Sequence, residues 1–428
     1  MSAVVARRRV RVAVVGAGPA GLVLANVLLS AGVPVEVVER QPREALERHA
    51  RAGLVEHRVA AYLRAHGLAH GLLADGVRHG WCDFLCEGER VRIDYAARTG
   101  GTAHWVYPQH LLVADLVRAF EERGGTIHFG RPARDVEEPE PGRPRVRCDG
   151  LLVEADAVAG CDGHRGVTRR AVPRRVRGDL SVRYASDWLT ALAEVDRPPE
   201  GVTYGLHHRG FAGMMPRTAR LARCYLQIPA GGSAAEWPAS RVREELRRRL
   251  DAARHGLPRV GRIEETGVLR MGSTISRELR HGHVFLAGDA AHRLVPAAAK
   301  GMNTAVADAA HLAEALTLFC RTGERAALDS YSARRTAQIW RTQEFADRLM
   351  DLLTVDQSAT VRARRFALRL KRERLRRLAE PGDAAADFAV QYAGQGPLTP
   401  PLTPPLPAAR TAEETGAATG AAVVGSRP

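Results

Sequence analysis

Apolar positions near the start of the chain follow two different periods. Residues 11–15, RVAVV, form a short β-branched run typical of a buried strand, whereas LVLANVLLSAG, from residue 22 on, favours a helix. Between them stands the turn Gly16-Ala17-Gly18-Pro19-Ala20-Gly21, and a second β-branched run, PVEVVER, contains Glu39. The pattern predicts a strand, a glycine turn, a helix and a second strand, which is how an α/β fold begins.

The three glycines of this turn have separate tasks in a dinucleotide-binding fold. Gly16 permits the tight turn, Gly18 lets the backbone approach a pyrophosphate, and Gly21 lets the helix pack on the strand. The N-terminal amides of the helix face the phosphate charge. Glu39 follows Gly21 by 18 residues, where its carboxylate can accept hydrogen bonds from ribose hydroxyls. This constellation predicts a site for the ADP half of either FAD or NAD.

Two later apolar runs end in aspartate turns. The run LLVEADAVAG leads into Cys161-Asp162-Gly163, and VFLA leads into Gly288-Asp289-Ala290-Ala291-His292, which we expect to open a long helix. Runs such as ARCYLQIP, at residues 222–229, predict strands of a mostly antiparallel sheet. The predicted fold class is therefore α/β, with a Rossmann-like domain and an antiparallel sheet domain.

The composition is that of a large globular protein. The chain has 428 residues, of which 45% are hydrophobic and 26% charged, and no run of 18 apolar residues. We therefore expect a cytoplasmic protein without a membrane span. The basic start runs directly into the first strand, so no cleavable signal is expected. The six cysteines form neither a disulfide framework nor a zinc-site pattern, and no metal is predicted.

The net charge of +15 is concentrated in one segment. Residues 361–378 hold nine arginines or lysines and one glutamate, which is more than half of the excess. Their near-helical apolar spacing predicts a surface helix with a solvated basic face, rather than contact with a membrane or nucleic acid. Residues 397–428, a proline-threonine repeat followed by small residues, predict a disordered tail. The apolar stripe predicted for the helix consists of Val361, Phe366, Leu368, Leu375 and Leu378.

The three glycine and aspartate motifs occur in the order and spacing of the flavoprotein aromatic hydroxylases, which this chain resembles. Within that superfamily the resemblance is to the 4-hydroxybenzoate 3-monooxygenases, and it extends from about Arg11 to about Gly394. It implies a single-component FAD-dependent monooxygenase that uses NADPH or NADH and O2, and that hydroxylates a phenolic aromatic acid through a flavin C4a-hydroperoxide. The segments that carry the resemblance include RAGLVE at 51–56, YPQ at 107–109, HRGFA at 208–212 and KGMN at 300–303.

Two other functions stay open beside this one. The first is a flavin-binding protein without hydroxylase activity, and the second is a related phenol hydroxylase that acts on a non-benzoate aromatic. A homodimer is also left open. The division of the chain that the resemblance implies is an FAD-binding domain of residues 1–75, 97–180 and 265–350, a substrate domain of 76–96 and 181–264, and C-terminal helices in 351–396.

The resemblance assigns cofactor contacts to all three motifs and to residues beyond them. Lys300 and Asn303 are expected beside the flavin ring, where a positive charge and an amide stabilise the reduced, anionic flavin. The residues expected to bind FAD are Gly16, Gly18, Gly21, Glu39, Arg51, Gln109, Asp162, Asp289, Lys300 and Asn303.

A phenolic acid must also lose its phenolic proton in a dry site, because the phenolate is the more reactive form. Tyr204 and Tyr392 match the two tyrosines of the family's proton relay. His79 matches the histidine that passes the proton to solvent, and its ordinary pKa suits both directions near neutral pH. Pro296 matches the proline whose carbonyl contacts the substrate hydroxyl.

The substrate's carboxylate end is expected at Arg217, which matches the family's carboxylate-binding arginine, with Tyr225 beside it. Two positions depart from the family pattern. Met215 replaces a serine and so removes a hydrogen bond to the carboxylate, worth about 1.5–3 kcal/mol for a charged group. Ala297 replaces a threonine and opens space near the phenolic end. We therefore expect a 3-substituted 4-hydroxybenzoate, such as 3-amino-4-hydroxybenzoate, to be used better than the unsubstituted acid.

Overall fold

The computed structural model describes residues 5–48, 53–137, 143–394, 396 and 398. Arg51 and, apart from Leu398, the predicted tail lie outside these described residues. Within them the chain forms two large sheets, two three-stranded sheets and helices that pack on them, so the α/β fold class is confirmed.

A mainly parallel sheet carries the glycine turn. Its first strand, Ala6–Val15, lies between Leu151–Gly160 and Val35–Val38 and is parallel to both. Their carboxyl ends therefore meet at one edge, the edge at which open α/β sheets bind ligands. The strands in sheet order are Arg280–His281, Val284–Leu286, Leu151–Gly160, Ala6–Val15, Val35–Val38 and Thr126–His128, with Arg145–Cys148 and Ala133–Glu137 continuing antiparallel from Leu151–Gly160.

The helix Pro19–Ser30 follows the glycine turn, as predicted, and packs against Gln109–Glu122 and Lys300–Thr322. Leu22, Val23 and Leu24 are fully buried in these contacts, which explains why this helix is apolar nearly all round. The remaining α-helices described are Arg43–Arg48, His57–Ala65, His70–Asp75, Tyr95–Arg98, Val167–Ala171, Arg174–Arg177, Ala239–Arg249, Ala326–Asp329, Tyr331–Leu353, Val361–Ala379 and Asp383–Ala393.

The second large sheet has seven strands, and every neighbouring pair is antiparallel except Val202–His207 with Trp81–Cys86. The predicted domain boundary after residue 264 falls inside the strand Val260–Leu269. The strands in sheet order are Val260–Leu269, Ser186–Val195, Leu221–Pro229, Gly210–Pro216, Val202–His207, Trp81–Cys86 and Glu89–Asp94. The two small sheets consist of Leu180–Arg183, Gly272–Ile275 and His292–Arg293, and of Leu54–Val55, His104–Val106 and Val77–His79.

The long helix expected directly after the second aspartate turn begins later than predicted. Gly288–Ala290 form a single 3-10 turn, and the helix Lys300–Thr322 starts only after a short strand and a second turn. Ala298 and Ala299, with φ of 54° and 53°, interrupt helical geometry just before Lys300. A left-handed backbone cannot continue a right-handed helix, so the helix start is fixed there.

The basic segment forms the predicted helix, Val361–Ala379, but its apolar stripe is narrower than predicted. Leu368 and Leu375 are fully buried, whereas Phe366 is 67% exposed. The reason is geometric: Leu368 and Leu375 are seven residues apart and share a face, whereas Phe366 is rotated by about 200° from Leu368. No helix in the described ranges is long and apolar enough to cross a membrane.

Candidate active site

The glycine turn forms an open cradle at the carboxyl edge of the parallel sheet. A Cβ on Gly16, whose φ is +104°, would lie 2.4 Å from the Cys161 carbonyl oxygen, and a Cβ on Gly21 would lie 2.0 Å from the Gly16 carbonyl oxygen. Gly18 differs, because no atom beyond its own residue and its two chain neighbours lies within 4 Å of the position its Cβ would take. Gly16 and Gly21 are therefore required by the fold, whereas the free space at Gly18 is what a bound pyrophosphate needs.

A cavity of about 480 Å³ opens beside Gly18. Glu39 lies at its wall, and one carboxylate oxygen accepts the Ala17 N–H at 2.7 Å, which fixes the carboxylate at the end of its strand. The other oxygen accepts the Gln41 N–H at 2.9 Å. The structure thus brings several of the predicted cofactor residues to one cavity, namely Gly18, Glu39, Gln109, Asp162 and Asp289.

The two aspartates at this cavity differ in what holds them. The Asp162 carboxylate accepts hydrogen bonds from the hydroxyl and the backbone N–H of Thr168, so it also caps the short helix Val167–Ala171. Burial raises its pKa. Asp289 is exposed at the cavity wall, where a carboxylate can accept a hydrogen bond from a polyol. Asp289 therefore has the geometry of a ligand contact, whereas Asp162 mainly shapes the turn.

Asp308, which sequence reasoning missed, holds the second aspartate turn in position. Its Oδ2 accepts the Gly288 N–H at 2.8 Å and faces His292 Nε2 at 2.7 Å, and its Oδ1 accepts from Arg335 Nε at 2.7 Å. Burial alone would raise the pKa of Asp308, but His292 and Arg335 outweigh it and hold the pKa at about 2. Its role could have been inferred from the sequence, because Asp308 is a single aspartate inside the apolar run AVADAAHL, and a buried carboxylate must have a buried partner.

Lys300 and Asn303 lie in the first turn of the helix Lys300–Thr322, and both side chains make hydrogen bonds to other residues of the chain. Lys300 Nζ donates to Glu56 Oε1 at 2.7 Å and to the Tyr392 carbonyl at 2.8 Å. Asn303 accepts the Glu56 N–H and donates to the carbonyls of Leu54 and Ala299. Their predicted contact with the flavin ring stays a prediction. In this arrangement they fix the segment around Glu56.

Glu56 is the buried acid at this junction. Burial opposes its ionisation, but the charges of Lys300 and Arg58 outweigh burial and hold its pKa at about 2. Lys300 also donates to the Tyr392 carbonyl, so the buried Lys300–Glu56 ion pair connects the helix Asp383–Ala393 to the segment around Glu56.

Tyr204 and Tyr392 meet in the interior, although they are 188 residues apart in sequence. Their hydroxyl oxygens are 2.9 Å apart, and both side chains are buried. Tyr204 comes from the strand Val202–His207, and Tyr392 from the helix Asp383–Ala393. Burial raises the pKa of both phenols well above 10. Both stay neutral hydroxyls at physiological pH, which can donate and accept at the same time.

His79 lies close to this pair without a hydrogen bond to either tyrosine in the structure. Its Nε2 accepts the Val202 N–H at 3.1 Å, and its ring is 2% exposed. The expectation that His79 titrates near neutral pH is wrong for this conformation: burial, with Arg92, lowers its pKa to about 4 despite the opposing charge of Asp83. A neutral imidazole is therefore the resting form.

Tyr204, Gly213 and Tyr225 form one cross-strand row of the seven-stranded sheet. A Cβ on Gly213 would lie 3.0 Å from the Phe211 ring and 3.5 Å from the Tyr225 ring, so glycine lets these rings pack over the centre of the row. Arg217 directly follows the strand Gly210–Pro216, and its Nη2 lies 3.2 Å from His110 Nδ1. Burial and the nearby Arg223 lower the pKa of Arg217. Arg217 and Arg223 both act on Tyr225 through their charges. An anionic group bound between these two cations would stabilise both.

The two departures from the family pattern are both in contact with one apolar cluster. Ala297, 2% exposed, belongs to the same apolar cluster as Tyr204 and Tyr225, and the partly buried Met215 packs against that cluster. Pro296 precedes Ala297, and its carbonyl already accepts the Ala299 N–H at 3.3 Å, which leaves one lone pair for a ligand.

A second cavity, of about 730 Å³, adjoins the first and shares His164 and Arg165 with it. Its lining is strongly basic and favours an anionic ligand. The arginines that line it are Arg165, Arg169, Arg170, Arg174 and Arg177.

Comparison with known proteins identifies the class to which this fold and site belong. Residues 9–346 match the family model described as "FAD binding domain". The chain is 32% identical over 343 residues to the p-hydroxybenzoate hydroxylase of Acinetobacter baylyi, covering 79% of this chain and 84% of that one. It is 30% identical over 412 residues to the kynurenine 3-monooxygenase of Salinispora arenicola, covering 89% and 84%.

Solved structures share the fold. The p-nitrophenol 4-monooxygenase of Pseudomonas putida DLL-E4 superposes with a TM-score of 0.73 at 23% identity, over 91% of this chain and 100% of that one. The chain belongs to the family of FAD-dependent aromatic hydroxylases, which are monooxygenases, and FAD is its cofactor. The open cradle at Gly18 and the carboxylates of Glu39 and Asp289 fit this group. NAD(P)H is the co-substrate typical of the family.

Proposed function

We propose that this protein hydroxylates a phenolic aromatic acid of the 4-hydroxybenzoate type, with NADPH or NADH as reductant and O2 as oxidant. The observation that carries the proposal is the buried pair of hydroxyls of Tyr204 and Tyr392, 2.9 Å apart. Each of these neutral phenols can accept one proton and donate another, which suits the pair to passing on a phenolic proton. The 32% identity to a p-hydroxybenzoate hydroxylase supports the same substrate class.

The chain's own residues divide the work. When bound, FAD supplies the activation of O2. Arg217 pairs with the substrate carboxylate, and Tyr225 packs beside it and orients the ring. The phenolic proton passes to the Tyr204 oxygen while Tyr204 gives its own proton to Tyr392, so neither tyrosine becomes charged. From Tyr392 a proton leaves toward solvent, and the substrate is left as the phenolate.

The basic second cavity is the proposed docking region for the anionic NAD(P)H. Arg165 and His164 line both cavities, so a nucleotide bound in one reaches the wall of the other. The phosphates of NADPH and of NADH would both be attracted by this lining.

The substrate class can be narrowed further. Ala297 is smaller than the threonine of the family pattern at the expected phenolic end, and Met215 has no hydroxyl to offer the carboxylate. We expect a 3-substituted 4-hydroxybenzoate, such as 3-amino-4-hydroxybenzoate, to be turned over better than the unsubstituted acid.

A panel of hydroxy- and amino-substituted benzoates tests the proposal. The FAD-loaded protein is given NADPH or NADH with each acid, and NAD(P)H oxidation, O2 uptake and product mass are measured. We expect oxidation to be stimulated by 4-hydroxybenzoates, with a product heavier by one oxygen atom. Stimulation by non-benzoate phenols alone would favour a related hydroxylase of other specificity. Absence of any aromatic-stimulated oxidation would leave a flavin-binding protein without this activity.

A further inference from the structure

Tyr95 is a buried tyrosine that contacts two of the predicted relay residues, Tyr392 and His79. Its ring packs against the ring of Tyr392 with centroids 4.9 Å apart. Its hydroxyl donates to the His79 carbonyl and lies 3.3 Å from His79 Nδ1. Tyr95 begins the short helix Tyr95–Arg98, which Asp94 caps by accepting the Ala97 N–H at 2.8 Å. The backbone therefore fixes where this hydroxyl lies.

The hydrogen bonds around His79 determine which ring nitrogen carries the proton. The Val202 N–H donates to Nε2 at 3.1 Å, so Nε2 is an acceptor and has no proton. A neutral imidazole then carries its proton on Nδ1, the nitrogen that faces Tyr95. Because the Tyr95 O–H is already donated to the His79 carbonyl, the Tyr95 oxygen acts as an acceptor toward His79 Nδ1.

The bond from Val202 connects His79 to the substrate side. Val202 is the first residue of the strand Val202–His207, and Tyr204 follows two positions later on the same strand. A Cβ on Gly201 would lie 2.2 Å from His79 Nε2, so the ring sits directly against the chain at the start of this strand. Loss of the Val202 bond would release the strand end closest to Tyr204.

We infer that Tyr95 is a positioning residue of this site: by accepting the Nδ1 proton it acts together with the Val202 N–H to fix the His79 tautomer that anchors the strand carrying Tyr204. The effect on the substrate phenol rests on the proposed function, whereas the tautomer is a property of the protein alone. With phenylalanine at position 95, the Nδ1–H of His79 loses its acceptor, so the tautomer with the proton on Nε2 becomes more populated. In that tautomer the Nε2–H faces the Val202 N–H, and the hydrogen bond between them is lost.

The groups around His79 set the background for any pH dependence. Asp83 favours the protonated ring, whereas Arg92 disfavours it. His104 is the cross-strand partner of His79, and burial lowers its pKa to about 3, so it is neutral. Trp81 packs its ring 5.1 Å from the His79 ring. None of these residues offers Nδ1 the hydrogen-bond acceptor that Tyr95 provides.

The tautomer is measured by NMR of FAD-loaded protein carrying ¹⁵N-labelled histidine, with the His79 signal assigned by its loss in His79→Gln. We expect the Nδ1–H tautomer in the natural protein and a mixture with Nε2–H in Tyr95→Phe. Tyr331→Phe is the matched control, because Tyr331 is also buried and also donates to a backbone carbonyl, that of Leu286, at 3.0 Å. An Nε2–H tautomer in the natural protein, or no change in Tyr95→Phe, would overturn the inference.

A second measurement uses the absorbance of bound 4-hydroxybenzoate as it ionises with pH. In Tyr95→Phe we expect the acid ionisation constant of the bound phenol to fall ~3- to 10-fold, which is the size of effect expected from the loss of one hydrogen bond. Tyr95→Phe added to His79→Gln should have no further effect, because Tyr95 acts through His79. Additive effects of the two changes would overturn the inference. If the tautomer responds as expected but no phenolic acid binds, the proposed function fails and the positioning role stands.

Discussion

Tyr204 allows the proposed chemistry to be tested by the loss of one oxygen atom. In Tyr204→Phe the substrate phenol keeps its proton, so we expect hydroxylation to fall by ~10²-fold or more. FAD binding and NAD(P)H oxidation should persist, with O2 recovered as hydrogen peroxide. Product and peroxide per NAD(P)H consumed are the quantities to measure. Tyr62→Phe, a buried tyrosine of the helix His57–Ala65, is the control and should stay coupled. Unchanged product yield in Tyr204→Phe would remove Tyr204 from the mechanism.

Residues 215 and 297 test the substrate preference. We expect Met215→Ser/Ala297→Thr to restore a hydroxyl near the carboxylate and to fill space near the phenolic end. The regained hydrogen bond strengthens binding of both acids, whereas the added threonine crowds the 3-substituent. The ratio of coupled turnover on 3-amino-4-hydroxybenzoate to that on 4-hydroxybenzoate should therefore fall by ~10-fold, because overpacking costs about 1–3 kcal/mol. Preference of the natural protein for the unsubstituted acid, together with an unaltered ratio in the variant, would contradict the pocket argument.

The glycine turn separates ligand effects from folding effects at the scale of one element. Gly18→Ala places a methyl group in space that no protein atom occupies, so the apoprotein should fold normally and bind FAD at least ~10-fold more weakly. Gly21→Ala, whose Cβ would meet the Gly16 carbonyl, should lower the stability of the apoprotein itself. FAD titration and urea unfolding of both apoproteins check this. Normal FAD affinity in Gly18→Ala would show that the pyrophosphate lies elsewhere.

The start of the helix Lys300–Thr322 contains avoidable strain. Ala299 has a φ of 53°, which costs an L-residue about 1–2 kcal/mol. Ala299→Gly should therefore raise the free energy of unfolding by about 0.5–1 kcal/mol after the entropy cost of glycine. Ala310→Gly, in the regular part of the same helix, should have the opposite sign. Thermal midpoints of the two variants test the pair, and a loss of stability in Ala299→Gly would contradict the expectation.

At the scale of the whole molecule, two buried carboxylates predict how stability depends on pH. Folding lowers the pKa of Glu56 from 4.5 and of Asp308 from 3.8, in each case to about 2. A carboxylate whose pKa falls on folding stabilises the protein above its unfolded pKa, and the stabilisation is lost as pH falls through the folded value. Stability should therefore decline between about pH 4.5 and pH 2.

Asp308→Asn tests this directly, because it leaves Arg335 buried without its charged partner. We expect a loss of about 3–5 kcal/mol at pH 7 and a shallower decline in acid. Asp149→Asn removes an exposed carboxylate that is paired with Arg134, and it should leave urea unfolding unchanged. Equal effects of the two substitutions would mean that burial at Asp308 has no energetic consequence.

The sequence by itself determined the first strand of the parallel sheet, the glycine turn, the helix after it and the strand Leu221–Pro229. Each of these depends only on the local hydrophobic periodicity or on local turn chemistry. The basic helix Val361–Ala379 was predictable for the same reason. Its buried face was not, because which side of a helix meets the core depends on the partner, and Phe366 was wrongly placed inside.

Only the tertiary structure decided which polar groups meet. Tyr204 and Tyr392 were matched by resemblance, but their contact joins a strand to a helix 188 residues later. Asp308, Glu56 and Tyr95 act through partners from distant segments, which no local pattern contains. The low pKa of His79 likewise comes from burial, a property of the assembled molecule. Local spacing fixes elements, whereas hydrogen-bond partners, burial and pKa values follow from how the elements pack.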